Sequence, residues 1–293
     1  MYYGVQPFVS RNCLLSIRKC YVLYKRLFHK ADWPILEKAA VPPAKWMGWP
    51  QRKQFALVLT HDVDTRRGQE RCRQLISLEQ KLGFRSSFNF VPEDYADDEI
   101  LRKELVEREF EVGVHGLKHK GNMFRSRQVF MGMAQQINHY LDKWNAVGFR
   151  APSMYHNLEW IQHLDIEYDS STFDTDPFEP QPDGVKTIFP FLFRRDTSRE
   201  GYVELPYTLP QDFALFIMMG EKNTDIWKRK VDWICLKGGM ALINTHPDYM
   251  YFGGGKTGVE DYPAEFYEEF LAYVKSRYEG AFWHALPKDV ARF

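Results

Sequence analysis

The sequence predicts an α/β fold in which about seven parallel strands alternate with helices and curl into a distorted barrel. Short apolar runs alternate with stretches of helical period from Phe55 onward. This alternation is typical of parallel strands joined by crossover helices, and its many repeats favour a barrel over an open sheet. The chain of 293 residues is long enough for a barrel of roughly 250 residues and a short extension.

The individual elements follow from local patterns. Strands are predicted at the buried apolar runs 55–59, 86–91, 111–114, 166–170, 203–206, 240–245 and 281–284. Helices are predicted at the stretches of 3.6-residue period, which are 67–81, 99–108, 126–144, 223–237 and 262–277. Ser126 is expected to cap the third helix, because a serine hydroxyl can accept a hydrogen bond from the first helical turn.

The first 53 residues are predicted to form an extension outside a barrel domain that takes residues 54–293. Residues 1–31 contain no acidic residue and mix lysine and arginine with apolar residues at helical spacing. This pattern predicts either a helix packed on the outside of the barrel with a solvated basic face, or a basic amphipathic helix at 10–30 in peripheral contact with a membrane. Residues 34–53 read as a proline- and tryptophan-rich connector anchored on the domain.

Composition excludes several classes of protein. Hydrophobic residues make up 44% and charged residues 27%, which excludes a disordered or fibrous chain. The 39 basic and 39 acidic residues cancel, which argues against a nucleic-acid partner. The longest apolar run, 213–219, is too short to span a bilayer. Four scattered cysteines and no signal-peptide pattern favour a cytoplasmic protein, with attachment at the inner membrane face left open.

Four groups of polar side chains are expected at the carboxyl ends of strands, where parallel α/β folds gather their ligand sites. They are Asp62 with Asp64, His115 with His119, Arg150 ahead of Pro152 and Ser153, and His246. Two nearby carboxylates can divide cation binding and base catalysis, and histidines four apart on a helical turn can share a metal ion. An arginine held in a stiff turn by a nearby proline can orient a carboxylate, and the last histidine can act as an acid or as a ligand.

Each of these motifs also has an ordinary structural explanation. An Asp-x-Asp sequence is commonly a turn or a helix cap, and a pair of histidines is commonly exposed. A single arginine commonly forms a surface salt bridge, and a single histidine commonly bonds to backbone. The functional interpretation therefore rests on the combination and its order along the chain.

In this combination, residues 54–293 resemble the polysaccharide deacetylase family, also called the NodB-homology domain or carbohydrate esterase family 4. The resemblance implies a NodB-like barrel and a hydrolase that removes N-acetyl groups from an amino-sugar-containing glycan and releases acetate. It also implies one divalent transition metal that polarises the carbonyl and acidifies the attacking water. Zn²⁺ is the first expectation, and Co²⁺, Ni²⁺ and Fe²⁺ suit the same ligands.

The resemblance assigns roles to residues of this sequence. It implies a base at Asp62, an arginine that orients it at Arg150 and a general acid at His246. It implies the metal ligands Asp64, His115 and His119, and substrate contacts at Pro152 and Ser153. Tyr249 is a further candidate for a substrate contact, because it belongs to an aromatic cluster after His246 that could stack on sugar rings. Two features depart from the family pattern: one residue separates the two aspartates, which leaves an inversion of their roles open, and Ser153 stands where an aromatic residue is usual.

Several points stay open at this stage. The carboxylate that orients His246 is Asp212, Asp248 or Glu204. Lys256, in a glycine-rich loop, is a further candidate for contact with a phosphate or carboxylate of the substrate. The competing functions are hydrolysis of a non-sugar linear or cyclic amide, and carbohydrate binding without catalysis. The presence of Asp62, Arg150 and His246 together argues against a domain that only binds carbohydrate, because binding would not need all three.

Overall fold

A nine-residue strand, β1 (Phe55–Val63), lies in the middle of the sheet, and every one of its residues is buried. The computed structural model describes residues 11–29, 32–195, 200–254 and 257–293. Strand β8 (Met240–Thr245) pairs in parallel along one side of β1. On its other side, β11 (Phe282–His284) pairs with the first half and β2 (Ser87–Phe90) with the second half. Pairing on both sides and burial on both faces explain the continuous apolar run that begins β1.

The sheet continues from β2 through four more parallel strands. In order these are β3 (Glu111–His115), β4 (Gly148–Arg150), β5 (Tyr168–Asp169) and β7 (Tyr202–Glu204), with β6 (Phe191–Phe193) antiparallel at the edge. A parallel bridge between Leu209 and Ile243 connects the chain after β7 to β8, so the sheet curls back on itself. The predicted distorted barrel of parallel strands is confirmed. A separate pair is formed by β9 (Met250–Tyr251) and β10 (Tyr262–Pro263).

Helices surround this sheet. They are α1 (Arg11–Phe28), α2 (Arg66–Leu82), α3 (Glu99–Glu107), α4 (Arg127–Trp144), α5 (Leu158–Ile161), α6 (Asp225–Lys237), α7 (Ala264–Tyr278) and α8 (Pro287–Arg292). The predicted capping role of Ser126 is confirmed, because its side chain accepts a hydrogen bond from the Val129 backbone at the start of α4. Gly83 ends α2 and Gly238 ends α6 in the left-handed conformation that favours glycine after a helix.

Several elements differ from the prediction. Helices α5 and α8 and the strand pair β9–β10 were not predicted, and β10 takes the first two residues of the predicted helix 262–277. Three other differences concern residues 148–150, β6 and residues 213–218. Residues 148–150 were expected in a stiff turn but form β4, and a Cβ on Gly148 would lie 2.0 Å from the Tyr168 ring, so the strand needs glycine there. The antiparallel strand β6 was not predicted, because only three residues form it. The long apolar run was given no structure, and residues 213–218 form a π-helix whose N-terminal N–H bonds to Asp212. Tertiary packing decided all three, since each element is too short to show a period.

The extension packs on the domain. Trp33 and Trp49 are buried, and the Trp49 indole donates a hydrogen bond to the Gly238 carbonyl at 2.9 Å. The buried Lys230 ammonium contacts both the Pro34 carbonyl and Asp174. The expected anchoring of the connector by tryptophans is confirmed, whereas the domain boundary between residues 53 and 54 stays a prediction. Among the described residues, no helix is long and apolar enough to cross a membrane.

We predict that Trp49→Ala lowers the free energy of unfolding by about 3–5 kcal/mol, the usual cost of truncating a buried tryptophan. The ring contacts the aromatic rings of Trp46, Trp283 and Phe293, so its loss leaves a cavity. Urea unfolding measures the effect. Met47→Ala is the matched control, because Met47 is 95% exposed and its truncation should change stability by less than about 0.5 kcal/mol. Equal stability of the two variants would show that the connector is not anchored through this ring.

Candidate active site

A cavity of about 120 Å³ lies at the carboxyl ends of the parallel strands. Asp62 and Asp64 reach it from the end of β1, His115 from the last position of β3, and His246 from the residue after β8. The strand ends therefore bring together side chains that are far apart in sequence. Such a convergence is usual for ligand sites in parallel α/β folds.

Asp64, His115 and His119 form a cluster with the donors of a metal site. Asp64 Oδ1 lies 3.4 Å from His115 Nε2 and 3.4 Å from His119 Nε2, and the three ligand atoms all lie within 4.8 Å of one another. Asp64 Oδ1 is buried, and no described residue donates a hydrogen bond to it. A buried carboxylate oxygen without a donor is costly unless a cation compensates it. One carboxylate and two imidazoles are typical of catalytic transition-metal sites, so these residues fit a divalent metal ion.

The two histidines do not lie on a helical turn, so that part of the prediction is wrong. His115 is the last residue of β3, and Gly116 follows it with a φ of 63° that redirects the chain. A Cβ at Gly116 would lie 2.5 Å from Pro152, so the close packing of these two segments also needs glycine. His119 is held by its backbone N–H, which donates to Asp94 Oδ2 at 2.5 Å.

The orientation of His115 is set by its other ring nitrogen. Nδ1 lies 3.0 Å from the carbonyl oxygen of Arg150 and can donate to it. This contact leaves Nε2 as the atom with a free lone pair on the side of Asp64. Burial opposes a charge on this ring, but Asp62 and Asp64 raise the pKa of His115 above its ordinary value.

Asp62 is held by polar groups from three other strands of the sheet. Its Oδ1 accepts from Asn89 Nδ2 at 2.9 Å and from Arg150 Nη1 at 3.2 Å, and its Oδ2 accepts from Asn244 Nδ2 at 2.7 Å. Burial favours the neutral acid, but Arg150, His115 and His246 together lower the pKa of Asp62 to about 2. The carboxylate is therefore ionised at neutral pH and fixed in one orientation.

Arg150 is fully buried at the end of β4, next to Asp62. Its guanidinium also donates to Thr60 Oγ1 at 2.9 Å, to Asn244 Oδ1 at 2.6 Å and to the Ser170 carbonyl at 2.9 Å. The structure thus places the predicted arginine against the predicted base.

His246 contacts only one of the three carboxylates that the sequence left open. Its Nδ1 lies 2.7 Å from Asp212 Oδ1, and its backbone N–H donates to Asp212 Oδ2 at 2.8 Å. Asp248 instead accepts from the backbone N–H of Asp64, and Glu204 accepts from Thr172. Burial disfavours the charged ring, but Asp212 outweighs it and raises the pKa of His246 to about 10. His246 is thus protonated at neutral pH, and its Nε2 lies 4.0 Å from Asp62 Oδ2.

Two of the three predicted substrate contacts line the cavity, and the third does not. Ser153 and Tyr249 are half-buried and line the cavity, and Ser153 adopts a left-handed conformation with a φ of 56°. The Tyr249 ring lies 5.0 Å from Phe213 and 5.3 Å from His246. Pro152 is buried but does not belong to the cavity wall. Lys256, the remaining candidate, lies outside the described residues.

Helix α1 forms part of the cavity wall, which the sequence did not predict. Arg18 and Val22 line the cavity, and the Arg18 guanidinium lies 5.2 Å from the Phe213 ring centroid. Lys25 donates to the Pro177 carbonyl at 2.8 Å, and Arg26 pairs with Glu221. The helix therefore packs on the domain, as one alternative expected, but Arg18, Lys25 and Arg26 contact the domain instead of forming a fully solvated basic face. These cations are half-buried, because the domain supplies two acceptors and an aromatic face for them.

Sequence reasoning missed Asn89 and Asn244, and it could not choose Asp212 from its three candidates for the partner of His246. Asn89 lies between two phenylalanines in β2, and Asn244 interrupts the apolar run of β8 just before His246. A buried asparagine in such a run must find hydrogen-bond partners, which was an available signal. Asp212 had no comparable signal, because its contact with His246 crosses 34 positions of sequence.

Comparison with known proteins identifies the fold. No protein-family model and no curated relative matches the chain. Solved structures match at low identity. A presumed polysaccharide deacetylase from Mycobacterium smegmatis is 16% identical, with a TM-score of 0.67 over 86% of this chain and 94% of that one. A presumed polysaccharide deacetylase from Pseudomonas aeruginosa PAO1 is 14% identical, with a TM-score of 0.62 over 83% and 92%. An allantoinase is 14% identical, with a TM-score of 0.59 over 83% and 91%. The resemblance to polysaccharide deacetylases is thus confirmed at the level of the fold.

We predict that Asp212→Asn lowers the pKa of His246, because it removes the negative charge that holds the proton on the ring. In the chelator-treated wild type, the ring should stay protonated at pH 8, since its pKa is raised to about 10. In the variant, the ring should lose its proton at a lower pH. Nuclear magnetic resonance of labelled histidine follows the titration, and exposed His139 is an internal control. A wild-type His246 that titrates near the ordinary value of about 6.5 would contradict this electrostatic account.

Proposed function

We propose that this protein is a metal-dependent hydrolase that removes N-acetyl groups from an amino-sugar-containing glycan and releases acetate. One observation carries the proposal. A three-donor cluster, an ionised carboxylate and a protonated histidine face a single cavity at the strand ends. The fold, which is that of polysaccharide deacetylases, supports the same reaction class.

In this proposal Asp64, His115 and His119 hold a divalent transition metal. Zn²⁺ is the first expectation, and Co²⁺, Ni²⁺ and Fe²⁺ are compatible with one carboxylate and two imidazoles. When bound, such an ion polarises the amide carbonyl and lowers the pKa of water.

Asp62 is the general base. Its carboxylate is ionised at neutral pH and can accept a proton from the attacking water. Asn89, Asn244 and Arg150 hold both of its oxygens, so little reorientation is needed during the reaction. Arg150 contacts no other carboxylate among the described residues, which makes it a positioning residue for this base.

His246 is the general acid. Amide cleavage needs a proton on the leaving nitrogen, and protonated His246 can supply it from Nε2. Asp212 bonds to the opposite ring nitrogen and stabilises the protonated form. An ionised base and a protonated acid within 4.0 Å of each other are the pair of protonation states that the reaction needs.

Ser153 and Tyr249 are proposed as substrate contacts. Both line the cavity, and an aromatic ring can pack against the apolar face of a sugar. The cavity of about 120 Å³ is smaller than the roughly 300–1,000 Å³ that enclose a drug-sized ligand. We therefore expect it to accept the acetamido end of the substrate, with the rest of the glycan outside.

The proposal is tested by metal analysis of the purified protein together with acetate release from N-acetylglucosamine oligomers. About one transition metal per chain and metal-dependent acetate release are the expected results. If the metal-bound protein releases no acetate but hydrolyses a non-sugar amide, the substrate is a non-sugar amide and not a glycan. A protein that takes up no metal would overturn the site.

We predict that His119→Ala abolishes both metal binding and turnover, because it removes one of the three ligands that the described part of the chain supplies. His139→Ala is the matched control: His139 is also a histidine, but it is exposed on α4, away from the cavity. Elemental analysis and acetate release are measured on both variants. Stoichiometric metal in the His119→Ala protein would refute the ligand assignment.

We predict that Asp62→Asn retains the metal but loses activity by about 10²–10⁴-fold, the usual contribution of a general base. Asparagine keeps the size of the side chain and can still accept hydrogen bonds, but it cannot take the proton. Metal content, thermal unfolding and acetate release are measured together. If Asp62→Asn loses the metal as well as the activity, then Asp62 is a metal ligand and Asp64 is the base.

A further inference from the structure

We propose that the outward face of α1 is a docking surface for an anionic lipid bilayer. This face carries large apolar side chains that the domain does not cover, which we call the outer stripe. The outer stripe consists of Ile17, Tyr21, Tyr24, Leu27 and Phe28. Each of these side chains is between 55% and 67% exposed. An exposed apolar surface of this kind is typical of an interaction site.

The helical geometry makes the outer stripe continuous. Ile17, Tyr21, Tyr24 and Phe28 follow one another at spacings of four, three and four, so they lie on one face of α1. The rings of Tyr24 and Phe28 are in contact, with centroids 4.9 Å apart. Leu15 and Val22, in contrast, are buried against the domain. The helix therefore has two apolar sides, and the fold covers only one of them.

Charge favours a lipid surface over a second copy of the chain. Residues 1–31 contain no acidic residue, so every charged side chain that α1 itself carries is positive at neutral pH. The Lys25 ammonium lies 5.0 Å from the Tyr21 ring centroid, which places one of these charges at the border of the stripe. An anionic bilayer attracts such a border. Two copies joined through their outer stripes would bring like charges together.

The residue types fit the interface of a bilayer. Tyrosine and phenylalanine rings, with flanking lysine and arginine, are typical of helices that lie in the headgroup region. The ten residues before α1 contain no charged side chain, so they add no charge that would oppose contact with lipid.

Docking through this face would bring the cavity close to the lipid. Arg18 and Val22 line the cavity from the inner side of the same helix. A helix with its side chains is about 10–12 Å across, so about one helix diameter would separate the cavity from the bilayer surface.

Vesicle co-sedimentation of the full chain tests the proposal. The vesicles contain phosphatidylcholine with phosphatidylglycerol, or phosphatidylcholine alone. The stripe variant is Ile17→Gln/Tyr24→Gln/Phe28→Gln, and glutamine keeps a good helix propensity. The control variant is Ile100→Gln/Val106→Gln/Leu236→Gln, which removes three exposed apolar side chains from α3 and α6.

The wild type and the control variant should bind the vesicles that contain phosphatidylglycerol, and bind phosphatidylcholine more weakly. The stripe variant should bind at least about tenfold more weakly, because it loses three apolar contacts. If the triple variant fails to fold, Phe28→Gln alone should show a smaller loss in the same direction. Circular dichroism checks the fold of each protein.

Three results would overturn the proposal: no binding by the wild type, equal binding by the stripe and wild-type proteins, or a wild-type dimer that the stripe substitutions dissociate. The dimer would assign the face to a second copy, and light scattering detects it. Acetate release from soluble oligomers, measured in parallel, should be equal in all three proteins. Its absence from all three would count against the proposed function, while vesicle binding alone decides the docking surface.

Discussion

The candidate site depends on a buried ion pair between Asp62 and Arg150 in the middle of the barrel. Two charges without water are tolerated only when they are paired and their remaining hydrogen-bonding groups are satisfied. Asn89 and Asn244 bond to the pair from the strands on either side of β1, and Thr60 and the Ser170 carbonyl accept further hydrogen bonds from Arg150. The polar core is therefore a structural constraint as well as a catalytic arrangement. Removing one charge alone would leave the other buried without a partner.

Single strand ends position more than one of the proposed functional side chains. Arg150 bonds to Asp62 through its side chain and to His115 through its carbonyl oxygen, so β4 positions both the proposed base and a proposed ligand. Asp248 accepts from the backbone N–H of Asp64, which connects the segment after β8 to the segment after β1. Proposed acid, base and ligand set thus share one rigid framework, which is how preorganised sites avoid reorganisation during the reaction.

The N-terminal extension is part of this framework and not an appendage to it. Buried tryptophans attach the connector to the domain, and α1 lies against the cavity with Arg18 and Val22. Lys25 and Arg26 of α1 contact the domain through the Pro177 carbonyl and Glu221, while the aromatic residues of the helix stay exposed. An amphipathic sequence therefore need not place its polar face in water when the protein surface offers better partners.

The sequence by itself determined the strand and helix alternation, the barrel and the residue types at four strand ends. These features depend on local period and on the rule that parallel strands end at one edge of the sheet. Only the tertiary structure decided which carboxylate holds His246, that the histidine pair is not helical, and which side of α1 faces the domain. A contact such as Asp212 with His246 depends on the path of the chain between them, and no local pattern records that path. The sequence did not determine which side of α1 packs on the domain for a related reason. Apolar residues occupy two sides of the helix, and only the contacts made in the folded protein decide which side is buried.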